Sequence, residues 1–492
     1  MRRRLRRVAP LLLGVVMLAG CAVGPRYARP SAPTAAQWKT QAPWQLAAPK
    51  DALSKGAWWE IYNDATLNQL EQQLLNANQS LIAARDRLEQ ARSLARVATA
   101  GYFPQFSVEA SAARQRLSGN RPVTTTTATP TLPVTENTFQ IPFTLNYEAD
   151  VFGRVRRTVE ASNATLQSTA ADLANSQLVL TSELAADYFT LRELDAEIQV
   201  VTESANYQKR ALQVIENRHN GGVASGLDLA QQQTLVDSTV AQISLLQQQR
   251  AQFEHAIASL VGTPASSFTL AAASFNTVPP HVPLGVPSDM LERRPDVATA
   301  ERTMAFQNAE VGIATTAFYP NITLSAAGGV QSSAIGNLVS GPSALWSFGA
   351  DLVQPIFNGG RNRANLAATK SAYDESVANY RQTVLTAFQQ VEDGLAGLDT
   401  LQQAATVQAA AVEDAQRALS IANNRYTGGV TTYLDVVTAE STLLANQRLA
   451  TQLLGQRMVT SVALVKALGG GWDASQIQNE QVHPHPGQIV QQ

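Results

Sequence analysis

Few side chains in this sequence are placed to do chemistry. Its one thiol, Cys21, directly follows Leu18-Ala19-Gly20. Upstream stand five arginines (Arg2, Arg3, Arg4, Arg6, Arg7) and an apolar stretch from Val8 to Leu18. A basic head, a short apolar segment and small residues before a cleavage point read as a secretory signal over residues 1–20. Processing there would leave Cys21 at the new amino terminus. Two carboxylates, Asp228 and Asp435, hold matching places, each shortly after a Gly-Gly pair: Gly221-Gly222 and Gly428-Gly429. An acid in a helix's first turn is favoured by the backbone dipole by about 0.3–1 kcal/mol. The five histidines are scattered, and no phosphate-cradling glycine loop, zinc spacing or nucleophile motif appears. A lone cysteine excludes an internal disulfide and any thiolate-built metal centre. His483-Pro484-His485 falls in a polar tail, residues 471–492, that reads as disordered. The expectation is a protein without enzymatic activity, cofactor or resident metal.

The surroundings of Cys21 resemble a bacterial lipoprotein lipobox, whose cysteine takes a diacylglycerol while its new amino terminus is acylated. Chain burial at about 0.8 kcal/mol per methylene makes an anchor with more than one acyl chain stable. Ala22, where an aspartate would favour inner-membrane retention, points to the outer membrane. Pro25, Pro30, Pro33, Pro43 and Pro49 make residues 21–60 an extended strap. The whole chain of 492 residues carries a net charge of −2 that includes the five leader arginines. Beyond the leader the chain is acidic, which argues against nucleic acid as a partner.

The sequence repeats itself, a pattern that decides architecture before any motif does. Asn217-Arg218-His219-Asn220-Gly221-Gly222-Val223 matches Asn424-Arg425-Tyr426-Thr427-Gly428-Gly429-Val430, 207 residues later. Tyr102-Phe103-Pro104 matches Phe318-Tyr319-Pro320, with extra residues in the first copy placed in the Thr-rich stretch Thr124 to Thr131. Residues 61–280 and 281–470 therefore read as two copies of one unit. Each unit has a helix (about 65–100; about 288–316), two strands, a very long helix, a Gly-Gly turn and a second long helix. No proline interrupts Pro142 to Pro264 or Pro355 to Pro484. Apolar positions from Leu180 through Leu184, Leu191, Leu194, Ile198, Val201, Ala205 and Leu212 to Ile215 step by three and four, with Asp187 and Gln208 as polar breaks. Val391, Leu398, Ala405, Val412 and Leu419 keep the phase in the second copy. That is a coiled-coil seam. At 1.5 Å per residue, Arg154 to Arg218 would span on the order of 95 Å. A seam rich in Ala, Gln, Ser and Thr suits helices set side by side as staves of a tube.

Four stretches alternate instead. Phe139, Ile141, Phe143, Leu145 and Tyr147 are spaced by polar residues or Pro142, and Phe106, Val108 and Ala110 alternate likewise. Ile322, Leu324 and Ala326 follow the same rule in the second copy, as do Trp346, Phe348, Ala350 and Leu352. The pattern suits a half-buried soluble sheet as well as barrel strands of roughly 9–11 residues. In lipid, four strands cannot leave their edges open, and closed barrels begin at about eight. Two chains would supply eight strands and three would supply twelve.

Several runs resemble the outer-membrane efflux factor family, the TolC-like proteins, in its lipidated NodT/OprM-like branch. They are Cys21-Ala22-Val23-Gly24-Pro25; Trp58-Trp59 with Tyr62, Asp64 and Leu67-Asn68; Pro287-Ser288-Asp289-Met290-Leu291-Glu292-Arg293-Arg294-Pro295-Asp296; Ala317-Phe318-Tyr319-Pro320; and Gln354-Pro355-Ile356-Phe357-Asn358-Gly359-Gly360. The resemblance implies a mainly α protein with a small β part. Four strands per chain would give a twelve-stranded transmembrane β-barrel in a homotrimer, above a long coiled-coil α-helical barrel in the periplasm. It implies the passive exit duct of a tripartite pump, lipid-anchored in the outer membrane. Its partners would be a periplasmic adaptor (membrane fusion) protein and an inner-membrane transporter of the RND type.

On that resemblance the Gly-Gly turns are the tunnel's far mouth. Asp228 and Asp435 become carboxylate rings about a threefold axis, and Tyr426 matches a gate tyrosine with His219 in the equivalent first-copy place. Thr431 stands where the TolC pattern has a gate arginine, and Thr438 where it has a second acid, so a charged latch of that kind is not expected. The mature chain's three methionines (Met290, Met304, Met458) are few for passing soft metal ions, which favours small toxic organic compounds or drugs as cargo. Metal-ion efflux and protein secretion are alternatives within the duct class. A lipidated periplasmic coiled-coil adaptor explains the helices but leaves the four alternating stretches without a role.

Overall fold

The computed structural model describes residues 22–32, 56–118, 134–275, 277–280, 293–472, 477 and 480–483. Cys21, the Thr124–Thr131 stretch and Pro287 to Glu292 lie outside them. Seven helices and five strand segments carry the described chain. Helices α1 (Ala65–Ala77) and α2 (Gln79–Ala100) lead to β1 (Gln105–Val108), β2 (Ser111–Leu117) and β3 (Val134–Glu148). Then come α3 (Arg154–Asn220) and α4 (Gly226–Leu260). The second half runs α5 (Pro295–Thr316), β4 (Asn321–Ser332), β5 (Ala344–Val353), α6 (Arg361–Thr427) and α7 (Tyr433–Ala467). Helices α3 and α6 are each 67 residues long, and α4 and α7 each 35. At 1.5 Å per residue, 67 residues reach about 100 Å.

One helix boundary differs from the periodicity. The expected single helix over 65–100 is two, broken at Asn78, which is extended at ψ 120°. Its Oδ1 accepts from the Leu81 N–H, capping α2, while its Nδ2 donates to the Leu260 carbonyl at the end of α4. A cap satisfied by a residue far away in sequence leaves no periodic trace. In the second unit the described helix runs from Pro295, with proline in its first turn, where a missing N–H costs nothing; the expected start near 288 lies outside the described residues.

The strands form one antiparallel sheet in the order β1/β2, β3, β4, β5. Segments β1 and β2 are one ribbon in unbroken register, since Val108 faces Phe143 and Ser111 faces Gln140. The interruption lies opposite Pro142, which has no N–H to donate. Across β4, Pro142 meets Gly329, where an added Cβ would fall 2.2 Å from the Ile141 carbonyl oxygen. Left-handed glycines turn strand into helix on both sides: Gly153 at φ 88° caps α3 and Gly360 at φ 87° caps α6.

The main core lies where α1, α3, α5, α6 and α7 meet. Trp58, Trp59, Tyr62, Leu67, Tyr188, Phe189, Tyr380 and Val384 are buried there. One of the runs that carry the family resemblance, Trp58-Trp59 with Tyr62, Asp64 and Leu67, does this packing. The Trp58 indole N–H donates to Thr181, Tyr62 shares a hydrogen bond with Ser461, and Tyr188 donates to Asp64, whose other oxygen caps α1. Arg294 is buried, bound to Asp296 and donating to the Ala467 carbonyl and the Gln390 side chain. Farther along the α3–α4 hairpin, Asp195 lies 2.9 Å from Arg192 and 2.6 Å from Arg250. The two arginines also donate to the carbonyls of Ala271 and Leu270, pinning the segment after α4 onto the hairpin.

The described part of the tail is packed, contrary to the disordered expectation. Ile477 is buried, Arg92 pairs with Glu480, and Val482 exchanges hydrogen bonds with Asn163. Three glycines with positive φ, Gly469 to Gly471, reverse the chain to reach that surface.

Candidate functional site

Two places on the molecule are built for contact with something else. The first is the sheet. Its register aligns Val108, Phe143, Gly328 and Trp346 on one face, and Phe106, Leu145, Ala326 and Phe348 beside them. Ile322 and Leu352 extend the same face. These side chains are exposed where they are large: Phe106 75%, Phe143 64%, Trp346 84% and Phe348 73%. The opposite face holds Ser107, Thr144, Asn146, Thr323, Ser325 and Asp351. A contiguous exposed apolar face of this kind marks a surface for contact with a membrane or another protein. Among the described residues, no strand pairs with the outer edges of β1/β2 and β5.

The second place is the pair of helical tips. Each Gly-Gly turn closes its helix in the same way. The Gly221 N–H donates to the Asn217 carbonyl and the Val223 N–H to that of Arg218; Gly428 to Asn424 and Val430 to Arg425 repeat the pattern. Only the second glycine of each pair has a positive φ, 76° at Gly222 and 70° at Gly429. Asp228 is the third residue of α4 and forms a reciprocal capping box with Ser225. Asp435 holds the same place in α7, is exposed, and accepts a hydrogen bond from the Thr431 hydroxyl. His219 Nδ1 lies 3.0 Å from the Ala224 carbonyl oxygen within its own turn.

Tyr426 joins the two hairpins. Its ring lies 4.9 Å from the Arg218 guanidinium and 4.9 Å from the buried Tyr433 ring. The Tyr433 hydroxyl donates to Gln232, which donates in turn to the Gln208 carbonyl. Gln208, a polar break in the seam, thus anchors α3 to α4. The tips also show four residues that spacing alone did not single out: Val223, Leu227, Val430 and Leu434, 70%, 64%, 69% and 52% exposed. Their shared offset between the halves was the available signal.

The strap after Cys21 begins at the base of the sheet. The Val23 N–H donates to the Phe152 carbonyl, and Arg157 donates to the carbonyls of Val23 and Gly24. A Cβ at Gly24 would fall 2.7 Å from Gly312 of α5. Tyr27 then donates to Glu301, and Arg29 to the Tyr380 hydroxyl of α6. Among the described residues no helix is long and apolar enough to cross a membrane, and no three metal-ligating side chains cluster.

An uncovered apolar sheet on helices about 100 Å long is the anatomy of an outer-membrane channel with a periplasmic extension. The family model of the outer membrane efflux protein matches residues 70–263 and 286–470, and this chain belongs to that family. The pyoverdine export outer membrane protein OpmQ of Pseudomonas aeruginosa is 32% identical over 465 residues, spanning 94% of this chain and 97% of its own. The toluene efflux pump outer membrane protein TtgC of Pseudomonas putida is 33% identical over 473 residues, with 94% and 95% covered. The outer-membrane channel OprN superposes with a TM-score of 0.84 at 29% identity, covering 92% of this chain and all of its own. The protein is thus an outer-membrane efflux channel component, a passive duct and not an enzyme.

Proposed function

We propose that three copies of this chain form the exit duct of a tripartite efflux pump that expels small toxic organic compounds. The observation that carries the proposal is the four-ribbon sheet, apolar on one face and, among the described residues, uncovered there and unpaired at both edges. In hydrocarbon those edges must be paired, and three copies supply twelve ribbons. Helix α6 supports the same reading. It equals α3 in length, yet buries nine of its residues within the chain against 24 for α3, and none before Ser376. The bare flank of α6 is where a neighbouring copy would pack. The equal helices of the two halves are then internal repeats, each giving one hairpin to the tunnel.

Cys21 adjoins Ala22, which touches Gly153 where β3 gives way to α3. Acyl chains on Cys21 would therefore start level with the sheet's base, at the edge of the bilayer. The tips are the far mouth: Asp435 and Tyr426, with Asp228 and His219, narrow it. The exposed Val223, Leu227, Val430 and Leu434 offer the apolar contacts an adaptor would cover, with an inner-membrane transporter beyond. Deleting the protein raises sensitivity to several unrelated organic toxicants. Unchanged sensitivity, with its pump partners expressed, would overturn the efflux reading.

A further inference from the structure

The helical part holds a cleft that the duct reading does not use. It lies between α3, α6 and α7 near the tips, with a volume of about 510 Å³, within the range of small-molecule sites. Val200 of α3, Leu419 of α6 and Leu443 of α7 give it apolar walls. At one end Asn423 donates to the Tyr207 hydroxyl across 3.0 Å, bridging α6 to α3. Glu440 also lines the cleft. It is only 4% exposed, and neither carboxylate oxygen has a hydrogen-bond partner. A buried carboxylate without a partner is costly, and nothing in the fold repays that cost.

We infer that this cleft binds a small organic monocation, with its apolar part against Val200, Leu419 and Leu443 and its positive charge on Glu440. Of the two carboxylates that line the cleft, Glu203 is exposed and accepts from the Gln199 amide, so Glu440 alone is left to match a single delocalised or alkylated positive charge. A divalent metal ion would need more ligands than the cleft provides. The charge balance depends on pH. Burial pushes the Glu440 carboxyl up to about 7, so cation binding near neutrality drives a proton off it. The other titratable groups facing it are Glu203 and Tyr207 of α3 and Tyr433 of α7, while the α6 wall contributes only uncharged side chains.

The test is calorimetric titration of the purified full-length protein in detergent with benzyltrimethylammonium, whose charge is permanent, using benzoate as the anionic control. Binding of the cation is expected, with no binding of benzoate and an affinity that falls as pH drops below about 7. Glu440→Gln should weaken binding at least tenfold. Ser420→Trp, which fills the cleft from an exposed position, should do the same without touching the buried carboxylate. Absence of cation binding, or equal affinity in Glu440→Gln, would overturn the inference. So would capture of a lysine-bearing helical peptide in place of the small cation, since the cleft would then be a protein-docking groove. The readout is binding alone, so it stands apart from whether the duct exports drugs.

Discussion

Glu71 sits on α1, wholly buried among core side chains, with neither carboxylate oxygen hydrogen-bonded. Burial pushes its carboxyl up to about 9. Glu193 is raised in the same direction by burial and by the neighbouring Glu197, and Asp187 rises to about 6 through burial and Glu183. These groups hold protons in the folded state that the unfolded chain releases near pH 4.5 for the glutamates and 3.8 for Asp187. The stability they lend is complete at acid pH and drains away as pH climbs through their folded-state values. The thermal midpoint should therefore be lower at pH 9 than at pH 6. Glu71→Met, similar in length and without charge, should gain about 1–3 kcal/mol at pH 9 and flatten that slope, as read by thermal unfolding in detergent. A midpoint that rises with pH would contradict this. If the tips form the mouth as proposed, Asp435 has the exposure a cation-attracting ring needs, whereas Asp228 is half-buried and engaged in its capping box with Ser225. Asp435→Ala should change cation selectivity or resting conductance in a planar bilayer, and identical currents would reduce Asp435 to a helix-start role. Sequence reading found these acids through the repeat. It could not find Glu71 or Glu440, because an isolated acid on a helix reads as solvated until the neighbours that bury it are known.

Elements were legible where one local period governs them. The alternation of Phe139 to Tyr147 and of Trp346 to Leu352 placed β3 and β5, and three-four spacing placed the long helices. Failures came where distant residues decide. Asn78 breaks a helix because the Leu260 carbonyl waits for its amide, and the tail docks because Asn163 receives Val482. The sheet depends on one close approach of this kind. Gly329 faces Pro142 with no space for a side chain, the added Cβ lying 2.8 Å from the Pro142 Cα. Gly329→Val should force β3 and β4 apart, an overpacking cost of about 1–3 kcal/mol per chain. Its amount in the outer-membrane fraction should fall severalfold while Gly328→Val, which points into open space, remains near wild type. Equal amounts of the two variants would mean that the β3–β4 register is not what closes the sheet.

At the scale of the molecule, the chain is an incomplete object. Its core is sealed where α1, α3, α5, α6 and α7 meet, yet among the described residues its sheet has two unpaired edges and its long α6 has a bare flank. The number of copies was not legible from alternation alone, since eight or twelve ribbons satisfy the same edges. The most direct test is the mass and conductance of the purified full-length protein. Native mass spectrometry from detergent should give three copies, and the same preparation should form ion-conducting pores in a planar bilayer. A single copy that stays dissolved in water without detergent and conducts nothing would contradict the account.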